Sequence, residues 1–145
     1  MATINATITL SSGDMMDNAV SISNTSTLTK AGNDTGLSET SGLARKKTST
    51  GSNTVLLNTD AGIGTDATAG GANKVYIKNA NDRGDGTKYV TILLEDTEIG
   101  RLYGGDWMFI PADFHDAAGD IAITANGGTN KICYALFHEG TALLA

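Results

Sequence analysis

The stretch KVYIKNANDRGDGTKYVTILLEDTEIGRLYGGDWMFIPADF, residues 74–114, decides the fold prediction, because four strand-like runs and six of the eight aromatic residues lie in it. In the first run, Val75 and Ile77 alternate with polar or amphipathic residues, and a period of two is typical of a half-buried strand. Gly and Asp between the runs indicate turns. We predict an antiparallel meander, the densest part of the core, with strands at 74–79, 88–94, 98–103 and 107–110.

The rest of the chain repeats this alternation of apolar and polar residues. It predicts further strands at residues 3–10, 19–29, 53–58, 120–125 and 131–138. Asn126-Gly127-Gly128 predicts a hairpin between the last two, because tight hairpin turns need positive φ. With 18 Gly and one Pro, and few Lys and Glu, long amphipathic helices are not expected. We predict an all-β protein with a single domain over residues 1–145, an antiparallel β-sandwich of the jelly-roll kind.

Residues 31–52 are rich in Gly, Ser, Thr and Asn and poor in large apolar side chains. A long loop inside a compact domain is usually functional or disordered. We predict a flexible, extended arm that becomes ordered against a neighbouring subunit, and a merely solvated loop is the alternative. The arm contains the basic run Arg45-Lys46-Lys47, whose three side chains are the candidate contacts to a carboxylate-rich partner.

The formal net charge of −6 argues against a general nucleic-acid binder and against binding to an anionic membrane. No run of 18 apolar residues is present to span a bilayer, and no signal peptide is expected. The single Cys133 forms no intrachain disulfide and fits a chain made in a reducing cytoplasm.

Residues suited to catalysis are few. His115 lies between Asp113 and Asp116, but a solvated loop histidine outweighs a metal site, because metal sites need several converging ligands. No GxSxG or phosphate-binding loop occurs, so we expect no enzyme and no cofactor. Arg83-Gly84-Asp85 matches the integrin-binding tripeptide, and we interpret it as a coincidence in a Gly- and Asp-rich turn.

Two features suggest binding surfaces. Tyr76, Tyr103 and Trp107 could stack on sugar rings, although core or subunit interface is the favoured interpretation, since aromatic residues are enriched there. Residues 131–138 are apolar on both faces, and the chain ends in Ala-Leu-Leu-Ala. We therefore predict a homo-oligomer, a trimer or dimer, with these candidate interface residues: Tyr134, Leu136, Phe137, Leu143 and Leu144.

The blocks KVYIKN, KYVTILLEDTEIGRLYGGDWMFIPA and DIAITANGGTNKICYALFHEG, within residues 74–140, resemble small virion structural proteins of tailed bacteriophages, nearest to capsid decoration (cement) proteins. The resemblance implies a β-rich, homo-oligomeric, non-enzymatic protein of the capsid surface, made in the host cytoplasm. Its implied partner is the major capsid protein, whose outer shell it would stabilise. The alternative is a carbohydrate- or receptor-binding module of a tail fibre.

Overall fold

A computed structural model describes residues 3–13, 19–30, 34–37, 39–51, 53–57, 73–112 and 121–138. Within these ranges the chain forms strands and no helix, which confirms the all-β prediction. Each of the nine predicted runs coincides with a strand to within two or three residues. The strands are β1 (Asn5–Ser12), β2 (Val20–Thr27), β3 (Glu39–Thr40), β4 (Ala44–Thr48), β5 (Asn53–Leu57), β6 (Lys74–Asn79), β7 (Tyr89–Leu94), β8 (Thr97–Tyr103), β9 (Trp107–Pro111), β10 (Ile121–Asn126) and β11 (Asn130–His138).

The strands from β3 onward form two antiparallel sheets. One sheet has the order β5-β10-β7-β8, and in the other β11 and β6 are central, with β9 on one edge and both β3 and β4 along the opposite edge of β11. The pairing is nested around the β7–β8 turn: β7 pairs with β8, β6 with β9, β5 with β10 and β4 with β11. Successive nested pairs alternate between the two sheets, so the chain crosses between them repeatedly.

The two sheets pack face to face over one apolar core, which confirms the β-sandwich prediction. Alternate residues of each strand point inward, as the pleat of a strand requires. Complete burial of a Val, Leu or Ile side chain contributes about 1.5–3 kcal/mol. The residues with no more than 1% of their surface exposed include Leu57, Val75, Ile77, Val90, Ile92, Ile121, Ile123, Ile132 and Leu136.

The predicted meander is wrong, because its four strands divide between the two sheets. Only β7 and β8 form the expected hairpin, around Glu95 and Asp96, which both have positive φ. β6 and β9 pair with each other in the opposite sheet. A period of two shows which face of a strand is buried, but it does not show which neighbour the strand takes.

The predicted final hairpin is wrong for a related reason. β10 lies in one sheet and β11 in the other, so Asn126-Gly127-Gly128 carries the chain across the sandwich. The glycines do have the expected positive φ, 73° at Gly127 and 98° at Gly128. A Cβ atom at Gly127 would also overlap the carbonyl oxygen of Thr87, so the crossing requires glycine there.

The flexible arm predicted for residues 31–52 is wrong for residues 44–48, which form β4. β4 and the short β3 both pair antiparallel with β11. Between them, the backbone N–H of Ser41 donates to the carbonyl of Leu136 at 2.9 Å. Without these partners one edge of β11 would leave its backbone N–H and C=O groups unpaired, which is costly in a buried strand.

Three buried or half-buried asparagines join the chain crossings at one end of the sandwich; we call Asn79, Asn81 and Asn130 the asparagine cluster. Oδ1 of Asn130 accepts hydrogen bonds from Nδ2 of Asn81 at 2.7 Å and of Asn79 at 3.5 Å. Asn79 Nδ2 also donates to the carbonyl of Leu102 at 2.9 Å, in the opposite sheet. The cluster therefore bonds the end of β6 to β8 and to the start of β11.

The same cluster holds the neighbouring loops. Asn130 Nδ2 donates to the carbonyls of Asn126 at 3.0 Å and Gly128 at 3.3 Å, within the β10–β11 crossing. The β8–β9 crossing is fixed by the Gly105 N–H, which donates to the Asn79 carbonyl at 2.9 Å. Asn79 and Asn130 are fully buried, and such groups are costly unless they are hydrogen-bonded.

Gly104 in the β8–β9 crossing provides a test of this packing. An alanine Cβ there would overlap the carbonyl of Asp82, which is backbone and has little freedom to move. We expect Gly104→Ala to lower the free energy of unfolding by about 1–3 kcal/mol, measured by urea denaturation. The control is Gly100→Ala in β8, whose Cβ would meet nothing within 4 Å. Equal stability of the two variants would contradict the described crossing.

Candidate interaction surface

β1 and β2 form a separate two-stranded sheet, which we call the ribbon. Eight residue pairs join its strands, from Asn5↔Thr27 to Ser12↔Val20. One face is a row of Thr and Ser whose side chains hydrogen-bond across the strands, as Thr7 and Thr25 do at 2.9 Å. The other face carries large apolar side chains that remain exposed: Ile8 (37%), Leu10 (51%), Val20 (39%) and Ile22 (52%).

The base of the ribbon bonds to the segment at residues 34–37. The Leu28 N–H donates to the carbonyl of Ile4 at 2.8 Å, and the Leu28 carbonyl accepts from the N–H of Leu37 at 2.7 Å. Leu28 and Leu37 are both buried, Leu37 completely. The base is therefore packed, whereas the apolar face farther along the ribbon is open to solvent.

The side chains of β4, β11, β6 and β9 that point away from the core form what we call the outer face. Its aromatic part lies beneath the ribbon base, across a cleft of about 290 Å³ lined by Ile4, Ala6 and Ile8 on the ribbon side. Tyr76 and Trp107 have ring centroids 6.3 Å apart, and Phe109 and Phe137 have theirs 6.2 Å apart. Burial, with a smaller effect of Cys133, raises the pKa of the Tyr76 phenol.

The basic part of the outer face lies beside the aromatic part. The pairing register aligns Arg45 of β4 with Cys133 of β11, Lys78 of β6 and Trp107 of β9, and places Lys47 opposite Lys131. Arg45, Lys47 and Lys131 are exposed and Lys78 is half-buried. These four side chains, which we call the cation cluster, have no ion-pair partner among the residues that the structure describes. A cleft of about 440 Å³ lies at the β4–β11 side of the cluster.

The structure divides the basic run Arg45-Lys46-Lys47 between the two sides of β4. Arg45 and Lys47 belong to the outer face, whereas Lys46 Nζ donates to the carbonyl of Val55 on β5 at 2.8 Å. Lys46 thereby links the edges of the two sheets. Contact with a partner remains a prediction, and Arg45 and Lys47 are the two members of the run whose side chains are exposed.

The candidate oligomer interface is also divided. Tyr134 and Leu136 are buried in the core of the single chain, with 6% and 0% of their surface exposed. Phe137 lies half-buried on the outer face, and Leu143 and Leu144 fall outside the described residues. The interface remains a prediction, and among its described members Phe137 alone has substantial side-chain surface left for another copy.

The three aromatic residues considered for sugar stacking do not form one platform. Tyr76 and Trp107 are neighbours on the outer face, but Tyr103 is on β8 in the other sheet, with its ring centroid 5.3 Å from that of Tyr89. The Arg101 guanidinium lies 4.9 Å from the Tyr89 ring centroid. Tyr103 and Trp107 are four residues apart, yet the chain crosses between the sheets from one to the other.

The charged side chains of the Arg83-Gly84-Asp85 turn are hydrogen-bonded or ion-paired within the chain. The Asp85 carboxylate accepts from Thr87 Oγ1 at 2.6 Å and from the Thr87 N–H at 3.0 Å, and lies 3.1 Å from Lys88 Nζ. These contacts, the Thr87 hydroxyl foremost, lower the pKa of Asp85 to about 2. Arg83 Nη2 donates to the Gly105 carbonyl at 3.4 Å.

The described ranges contain no group of three or more His, Cys, Asp and Glu able to hold a metal ion, and His115 with its neighbouring aspartates lies outside them. Within the same ranges no helix is long and apolar enough to cross a membrane. The chain matches no model of a known protein family and no curated protein sequence. The predictions of no enzymatic activity, no cofactor, no nucleic acid and no membrane partner remain predictions.

The pKa of Asp85 predicts how the loop responds to acid. Because the folded-state pKa is below the ordinary 3.8, the contribution of Asp85 to stability is present above that pH and is lost as pH falls towards about 2. We expect wild-type protein to lose more thermal stability over this interval than Asp85→Asn, measured as Tm against pH. Asp82→Asn is the control, and a loss in Asp85→Asn as large as in wild type would contradict the hydrogen bonds described.

Proposed function

We propose that this chain is a structural protein of a bacteriophage virion, a capsid decoration protein. In this proposal it binds the outer shell of the major capsid protein as a homo-oligomer, a trimer or dimer, and stabilises that shell. The observation that carries the proposal is the ribbon, whose four large apolar side chains remain 37–52% exposed, although Ile8 and Leu10 line a cleft together with Trp107 of the same chain.

An isolated two-stranded ribbon is marginally stable in water, and contiguous exposed apolar patches usually mark interaction sites. Leu10 and Ile22 are paired across the strands, and each keeps about half of its surface exposed. Covering them would contribute roughly 1 kcal/mol each, from the 1.5–3 kcal/mol of complete burial. Burial of the apolar face against a neighbouring subunit would therefore favour binding to that subunit. A protein that binds only the assembled shell stabilises the shell by mass action.

We further infer that β4 to β11 form a jelly roll. The inference is supported by the strand orders β4-β11-β6-β9 and β5-β10-β7-β8, in which the first of the eight strands lies beside the last and the nested pairs alternate between sheets. Jelly rolls occur in viral capsid proteins and in lectins. The architecture is therefore compatible with a virion protein and with the alternative below, and it does not choose between them.

One observation favours the second candidate, a carbohydrate- or receptor-binding module of a tail fibre. Trp107 is 48% exposed and lines a cleft of about 480 Å³ together with two charged residues, Arg83 and Asp106, and with apolar residues of the ribbon and of β8. An open indole beside charged hydrogen-bonding groups is an arrangement that can bind a sugar ring. Loss of glycan binding in Trp107→Ala, with retained binding in Tyr103→Ala on the other sheet, would favour this candidate.

The ribbon can be tested with two charge-matched variants of its opposite faces. Leu10→Glu with Ile22→Glu changes the apolar face, and Thr9→Glu with Ser23→Glu changes the adjacent pair on the polar face. We expect the first pair of substitutions to abolish co-sedimentation with capsid shells of the phage that encodes the chain and the second pair to retain it. All four sites are exposed, so the free energy of unfolding should change by no more than ~1 kcal/mol in either variant.

Light scattering of the same two variants reports whether the ribbon also maintains the homo-oligomer. Equal shell binding by both variants would contradict the role of the ribbon. Absence of the protein from purified virions would contradict the virion proposal itself.

A further inference from the structure

We propose that the outer face binds a carboxylate-rich surface of a partner protein, with the cation cluster as its contacts. This inference concerns a different surface from the ribbon. It does not rest on the virion proposal, because the chemistry of the partner follows from the outer face alone.

The first observation is an uneven distribution of charge. The chain has 16 Asp and Glu against 10 Lys and Arg. The acidic residues are absent from β4, β6, β9 and β11, but six of the ten basic residues lie in these strands: Arg45, Lys46, Lys47, Lys74, Lys78 and Lys131. A face without carboxylates on an acidic protein is complementary in charge to an acidic partner.

The second observation is the spacing of the cation cluster. Arg45 and Lys78 occupy one row across the sheet, separated only by Cys133 of β11. Neighbouring strands lie about 4.8 Å apart, so these two cations are about 10 Å apart at their Cα atoms. Like charges at this distance repel each other. An anionic group placed between the two cations would be attracted to both and would offset that repulsion.

The third observation decides between carboxylates and nucleic acid. Stacking of successive bases needs several open aromatic rings. On the outer face Trp107 is 48% exposed, whereas Tyr76, Phe109 and Phe137 are half-buried and face the ribbon base. Four cations on a chain of net charge −6 also offer little attraction to a continuous phosphate backbone. Arg, Trp and Tyr are all enriched in protein–protein interfaces and all three occur on the outer face, and Arg pairs well with carboxylates.

The test uses poly-L-glutamate as a defined carboxylate ligand and the fluorescence of Trp107, the single tryptophan of the chain, as the signal. Arg45→Gln with Lys78→Gln removes two charges from the outer face. Lys88→Gln with Arg101→Gln is the matched control, because it removes one Lys and one Arg from elsewhere, both exposed and in surface ion pairs. We expect the first variant to weaken binding roughly tenfold and the control to change it by less than about twofold.

Salt and a second polymer complete the experiment. Binding by wild-type protein should weaken as salt is raised, because screening shortens the reach of exposed charges to about 8 Å at physiological ionic strength. Lys47→Gln, a single exposed substitution, should weaken binding even if the double variant fails to fold.

An equal loss in the matched control, or no binding at all, would overturn the inference. Tighter binding to single-stranded oligothymidylate of the same charge would overturn it in favour of nucleic acid. Ile22→Ala, a neutral substitution on the apolar face of the ribbon, should bind poly-L-glutamate as wild type does, which keeps this inference separate from the ribbon.

Discussion

The hydrogen bonds of Asn79 and Asn130 are the interactions on which the rest of the structure depends. Both side chains are fully buried, and between them they bond to the end of β6, to β8, and to the β10–β11 crossing. Leaving one buried amide group without a partner costs about 1–3 kcal/mol. These amides are satisfied here because β6 and β11 lie beside each other while β8 lies in the facing sheet, so their hydrogen bonds favour the nested pairing over a simple meander.

The same central strands also build the interaction surface. Val75 and Ile77 of β6 and Ile132 of β11 point into the core, whereas Tyr76 and Lys78 point outward between them. Because side chains alternate along a strand, fixing the core register fixes the outer face as well. The ribbon base covers the aromatic part of that face, and the cation cluster stays accessible beside it. The protein thus has two distinct candidate contact surfaces, the ribbon and the outer face of the sandwich.

How far the sequence predicts this structure depends on which interactions make each element. Alternation predicts nine strands, because a strand places successive side chains on opposite faces, whether its apolar face is buried in the core or, as in β1 and β2, stays exposed. β4, with the sequence ARKKT, has no apolar alternation and is a strand because β11 supplies hydrogen bonds to its backbone. The sequence indicates the cation cluster only in part: Arg45 and Lys47 belong to one basic run, but Lys78 and Lys131 join them through the register between strands far apart in sequence. The sequence predicts Leu136 as an interface residue, but its side chain is buried in the core of the single chain. A strand that is apolar on both faces shows that both faces are covered, but it does not show whether the same chain or a second copy covers them.

The most direct test of the account is a double-mutant cycle on the asparagine cluster. Asn81 Nδ2 donates to Asn130 Oδ1 at 2.7 Å, and each residue also bonds to backbone groups that the other does not touch. The free energy of unfolding is measured by urea denaturation for wild type, Asn81→Ala, Asn130→Ala and the double variant. Because the two side chains belong to one network, we expect a coupling energy of about 0.5–3 kcal/mol. Effects that add to within ~0.3 kcal/mol would show two independent loops and contradict the claim that this cluster holds the crossings together.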